Sequence, residues 1–77
     1  MNKALAFMFF LLGASLGAQD VAIGSKLFSE SRLLGEIMAQ AIESQTDLTV
    51  ERRFGLGGSL IAFEALKSGS VDIYPEY

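Results

Sequence analysis

Beyond its first 18 residues the chain sorts hydrophobic and polar positions into five segments. Asp20 to Gly24 (DVAIG) is a short apolar run closed by glycine, a pattern that predicts a strand buried on both faces. Ser29 then stands as a helix N-cap, with Glu30 in the first turn, where a carboxylate meets the positive end of the helix dipole. The apolar positions that follow, Leu33, Leu34, Ile37, Met38, Ala41 and Ile42, recur as adjacent pairs every four residues and predict one wide buried stripe, with Glu36, Gln40 and Glu43 opposite. Gly35 inside this helix costs about 1 kcal/mol relative to alanine, which a close helix-to-sheet contact would explain. After a polar break at Gln45 to Asp47, Leu48 to Phe54 (LTVERRF) alternates as a strand with Leu48, Val50 and Phe54 on one face. The segment GLGG leads into a second helix from Ser59, a candidate N-cap, to Ser68, with Gly69 as candidate C-cap. Leu60, Ile61, Phe63, Ala65 and Leu66 make that helix apolar enough to predict that it is mostly buried. Val71 to Tyr74 (VDIY) reads as a third strand, halted at Pro75, which supplies no N–H and holds Tyr74 extended.

The order strand, helix, strand, helix, strand predicts an α/β fold with a parallel sheet, because helical crossovers join parallel neighbours and do so right-handedly. The segments after Gly24, Phe54 and Tyr74 then leave from one carboxyl edge, where open α/β sheets bind their ligands. No internal repeat or low-complexity tract interrupts the pattern.

The N-terminal residues change the picture of where the chain works. In MNKALAFMFFLLGASLGA, Lys3 precedes an apolar run from Ala4 to Leu16 that ends among small residues, the architecture of a secretory signal peptide. The run would make a helix of about 20 Å, against a hydrocarbon core of about 30 Å. Residues 1–18 are thus expected to be a signal peptide, cleaved after Ala18 in preference to Gly17, with residues 19–77 as the mature chain; an uncleaved membrane anchor is the alternative. Loss of Lys3 leaves five basic residues against nine acidic ones, a net charge of −4. An acidic chain lacks the basic face that nucleic acid requires, and Arg52-Arg53 reads as a solvated strand edge. There are no cysteines, hence no disulfide and no lipid-attachment cysteine, so a soluble periplasmic or extracellular protein is expected. About 59 residues lie near the lower limit at which a single core stabilises a domain without staples.

Candidate chemistry points to binding. Without His or Cys, the chain cannot assemble Ser-His or Cys-His pairs or the usual zinc sets, and no enzyme, cofactor or metal is expected. Asp72 and Glu76 near the sheet edge read as solvated acids. The glycine cluster fails both nucleotide fingerprints: Leu60 stands where the dinucleotide motif needs its third glycine, and no Lys-Ser/Thr pair follows. GLGG reads first as a turn, while its glycines and the helix N-terminus after it also permit close approach of an anion. Tyr74 and Tyr77 are three residues apart, so on an extended chain they face opposite sides: Tyr74 packs, and Tyr77, past Pro75, lies on the carboxyl edge. An aromatic ring there suits a quaternary ammonium, which offers no hydrogen-bond donor and is held by dispersion and the ring quadrupole, although one ring makes no cage. Lys26, just after the first strand, is placed to meet a ligand carboxylate, or is an ordinary surface lysine.

Taken as an ordered set, Ser-Lys-x-Phe after the first strand, Gly-Gly-Ser before the second helix and Tyr-Pro-Glu-Tyr after the third resemble the opening of the osmoprotectant-binding proteins of ABC importers. The resemblance covers essentially all of residues 19–77. It implies a type II periplasmic-binding fold of two lobes that closes on a small quaternary amine (glycine betaine, choline or carnitine) and docks on a membrane permease with its ATPase. By the same resemblance Tyr77 belongs to an aromatic box around the trimethylammonium group, Lys26 helps hold the ligand carboxylate, and Gly58 and Ser59 line the cleft. Ser29, Ser31 and Ser59 depart from the Thr, Gln and Thr often found at the matching positions. Family members continue past this tyrosine into a second lobe, so the chain is expected to be part of a first lobe. Two other readings stay open: a two-lobed binder of a different small solute such as an amino acid, and a small exported or membrane-anchored structural polypeptide.

Overall fold

A computed structural model describes residues 20–77, so the expected signal peptide and cleavage point lie outside the described residues. Within them, strand β1 (Val21–Gly24), helix α1 (Ser29–Gln45), strand β2 (Val50–Arg53) and helix α2 (Ser59–Ser68) follow one another. β1 and β2 pair in parallel, with Val21 opposite Val50 and Gly24 opposite Arg53. The α/β class and the parallel pairing agree with the hydrophobic pattern.

The expected third strand is reduced to a single parallel bridge between Ile23 and Ile73, on the side of β1 away from β2. Gly24 donates its N–H to the Ile73 carbonyl at 2.9 Å, and Asp72 donates to the Ala22 carbonyl at 2.7 Å. Chemistry stops the ladder at both ends. The Asp72 carboxylate takes the Ala22 N–H at 2.8 Å, a donor that a longer parallel ladder would give to a backbone carbonyl. In the other direction the next donor falls at Pro75, which has no N–H. Asp72 is therefore a structural partner of β1, correcting its reading as a solvated acid.

The core joins α1 to the sheet through Ile23, Ala39 and Val50, with Val21, Met38, Ile42 and Phe54 packed against them. The buried line of α1 is Ser31, Gly35 and Ala39, one residue at each turn. The expected stripe is rotated: Leu34, Met38 and Ile42 are half-buried, whereas Leu33, Ile37 and Ala41 are exposed. Small residues win the contact face because they let the helix backbone approach the sheet. A Cβ on Gly35 would stand 2.8 Å from the Phe54 ring, so the close approach expected at this glycine is observed.

Two helix starts shift by one residue. The N-caps are Phe28 and Gly58, neither with a side-chain capping bond, and Ser29 and Ser59 are the first helical residues. Gly69 caps α2 in the left-handed region at φ +87°, as expected. α2 buries only Ala62 and leaves Leu60, Ile61, Phe63 and Leu66 exposed, against the expectation of a mostly buried helix. β1 is fully buried only at Ile23 and Gly24. β2 starts at Val50, leaving Leu48 exposed ahead of it. No helix among the described residues is long and apolar enough to cross a membrane.

Candidate functional site

The loops after β1 and β2 are latched together around one buried serine. Ser25 Oγ accepts from the Gly55 N–H at 2.9 Å and donates to the Lys26 carbonyl at 2.9 Å, while the Ser25 carbonyl accepts from the Leu56 N–H at 2.9 Å. Leu27 completes the latch by donating to the Gly57 carbonyl at 3.1 Å. Gly55 is required here: its φ of +75° disfavours a side chain, and a Cβ would run into the Arg32 guanidinium. Arg32 in turn donates to the Leu27 carbonyl at 3.0 Å, bracing the loop from the first turn of α1.

This latch aims Lys26. The Lys26 N–H donates to the buried Ser31 hydroxyl at 2.8 Å, and the residue is only 5% exposed, which excludes the reading of an ordinary surface lysine. Its ammonium pairs with the Glu76 carboxylate at 2.5 Å. The same ammonium lies 6.0 Å from the centre of the Phe28 ring and 5.7 Å from that of Tyr77, within reach of both ring quadrupoles. The two rings meet edge to face, with centroids 5.9 Å apart and planes at 80°. Tyr77 donates its hydroxyl to Glu30 at 3.0 Å. Segments from three places along the chain, residues 25–31, 54–57 and 74–77, thus form one rim at the carboxyl end of β1.

Electrostatics follow from this geometry. The Lys26 ammonium, then the Tyr74 hydroxyl, hold the Glu76 carboxyl below the usual carboxylate range. Desolvation, then the Glu30 carboxylate, push the Tyr77 hydroxyl up; Glu76 does the same to Tyr74 through their hydrogen bond. The Lys26 ammonium and two carboxylates, Glu30 and Glu76, flank the pair of aromatic rings, with the Arg32 guanidinium behind them against Gly55.

Of the residues singled out from the sequence, Lys26 and Tyr77 come together. Gly58 and Ser59 do not join them by any hydrogen bond among the described residues; they sit exposed at the start of α2, just past the Leu27–Gly57 latch. A Cβ on Gly58 would meet nothing within 4 Å, so packing does not require glycine there. Tyr74 is half-buried, in keeping with the packing role expected of it, whereas Glu76 is ion-paired to Lys26, which corrects its reading as a solvated acid. Phe28, Glu30, Ser25 and Ser31 were not singled out as parts of a site. Phe28 stands in the Ser-Lys-x-Phe motif, the one signal that pointed to it, while the buried serines carry no pattern that separates them from solvated ones.

Residues 19–77 match the family model described as the substrate binding domain of ABC-type glycine betaine transport system. The chain is similar to the glycine betaine-binding protein YehZ of Escherichia coli strain K12, with 43% identity over 60 residues. That alignment covers 78% of this chain and 19% of the relative, so the chain spans about a fifth of the length of the curated relative it matches. No solved structure matches it.

Proposed function

The chain belongs to the family of substrate-binding domains of ABC-type glycine betaine transport systems, and from that premise we propose that it carries one wall of a cleft for quaternary-ammonium solutes such as glycine betaine or choline. The protein acts by binding and performs no chemistry. It is exported, holds its ligand between two lobes of a type II periplasmic-binding fold, and residues 19–77 contribute to the first lobe. Closure on the ligand stabilises the form that docks on a membrane permease with its ATPase.

One observation supports this reading most: an ammonium, that of Lys26, already lies within 6.0 Å of two aromatic ring centres at the carboxyl edge of the sheet. A ligand trimethylammonium would take the faces of Tyr77 and Phe28, and a ligand carboxylate would take Lys26. Gly58 and Ser59 border the cleft on the side of α2, where exposed backbone N–H groups suit an anionic group.

Calorimetric titration of the protein with glycine betaine and with choline tests the assignment. Replacing the ring in Tyr77→Ala is expected to weaken both ligands by about tenfold, the upper part of the range for one cation–π contact. Unchanged affinity in that variant removes Tyr77 from the site. Competition by amino acids, with none by trimethylammonium compounds, would instead assign the cleft to another class of small solute.

A further inference from the structure

Glu76 is a charged member of the rim, ion-paired to Lys26, whose role the binding scheme above does not use. Its carboxylate sits on the Lys26 ammonium at 2.5 Å. Lys26 is 7% exposed at its side chain, whereas Glu76 is 45% exposed, so the lysine is the buried fixture and the glutamate the replaceable partner. We propose that Glu76 is a specificity-determining residue: as the built-in counter-ion of Lys26 it stands where a ligand carboxylate would, and it biases the site toward quaternary amines that carry no carboxylate of their own.

The proposal rests on the quaternary-ammonium reading. A zwitterion must either displace Glu76 from Lys26 or bring its own carboxylate beside that of Glu76 on the same ammonium, and both cost it affinity. A cation without a carboxylate leaves the pair intact and meets a rim in which Lys26 is already neutralised. Glu30, held by the Tyr77 hydroxyl, adds a second negative charge beside the ring. Without Glu76 the balance inverts: Lys26 would be a buried, unpaired ammonium 5.7 Å from the Tyr77 ring centre, repelling a cation there and seeking a carboxylate.

The test is calorimetric titration of the wild-type protein and Glu76→Gln with glycine betaine, a zwitterion, and choline, which has the same headgroup and no carboxylate. The substituted amide keeps the size and shape of the carboxylate, and the position is exposed enough to tolerate it. Glycine betaine is expected to bind about threefold more tightly and choline about threefold more weakly, a shift of about tenfold in their ratio, scaled to a partly exposed ion pair. An unchanged ratio overturns the proposal while leaving the site assignment standing. Binding of neither ligand to either protein overturns the quaternary-ammonium reading, and the proposal falls with it. A second measurement needs no ligand: the Glu76 carboxyl, titrated by carbon NMR, is expected below the ordinary range in the wild type and back toward it in Lys26→Met. Equal values in the two proteins mean that the pair does not form in solution, which overturns the proposal whatever binds.

Discussion

Helices α1 and α2 each follow a parallel strand, yet α1 lays Ser31, Gly35 and Ala39 fully buried along the sheet, whereas α2 buries Ala62 and leaves Leu60, Ile61, Phe63 and Leu66 exposed. The more apolar helix is thus the less buried one. Hydrophobic content supplies the drive for burial, but the backbone must come close enough to use it, and small residues at successive turns decide that. α1 is further tied to β2 by Arg52, which donates to both Glu36 and Glu43 at distances of 2.8 to 3.1 Å. Among the described residues, the only ion pair along α2 is the local one between Lys67 and Glu64, at 3.8 Å.

The sharpest way to break this contrast is to truncate one apolar side chain on each side of it. Ile23→Ala, at the centre of the α1 core, is expected to cost about 3 kcal/mol in urea unfolding, from lost burial and the cavity left behind. Leu60→Ala on α2 is expected to change stability by no more than about 0.5 kcal/mol. Equal costs would mean that α2 is packed in solution as firmly as α1.

A smaller effect probes the close approach itself. Gly35→Ala improves helix propensity but drives a methyl group to within 2.8 Å of the Phe54 ring unless the ring moves. Overpacking of about 2 kcal/mol against about 1 kcal/mol of propensity leaves a net loss of about 1 kcal/mol. A stabilised variant would show that the ring yields freely and that the helix is not pinned there.

The smallest effect concerns the clasp on Arg52 and is visible through pH. Hydrogen bonds from Arg52, then Gln40, lower the Glu36 carboxyl from 4.5 to about 2, and Arg52 lowers Glu43 as well. A carboxyl depressed in the folded state stabilises it above the unfolded pKa and loses that contribution as pH falls through the folded pKa. The stability difference between the wild type and Arg52→Gln should therefore be complete above about pH 4.5 and fade toward pH 2. The pair is solvent-exposed, so the difference is modest. A difference constant across that window would show that Arg52 acts by packing its stem and not through its charge.

Several elements were legible in the residues because their signals are local. The glycine stop after β1, the polar break at Gln45, Gly69 beyond α2 and Pro75 beyond Tyr74 each act through backbone conformation or a missing donor, which needs no distant partner. Arg52 shows the opposite case. Along the chain, two adjacent arginines on a strand look solvated; folded, Arg52 reaches both Glu36 and Glu43, which lie two turns apart on α1. Arg53 pairs with Glu51 and donates to the Ser70 carbonyl at 2.7 Å. The site divides in the same way, since Lys26 and Tyr77 stood out by residue type and edge position, while Glu76, Ser25 and Ser31 gained their roles only from neighbours far along the chain.

Local residue patterns were enough to set the order of elements, their parallel pairing and the arrival of a lysine and a tyrosine at one sheet edge, because periodicity, turn residues and crossover geometry are properties of short segments. Tertiary structure alone decided which face of α1 is buried, how far the third strand extends, and that Lys26 is held by Glu76 between two aromatic rings. Those outcomes depend on distances between groups dozens of residues apart, set by how closely backbones can approach and which charges are left without water.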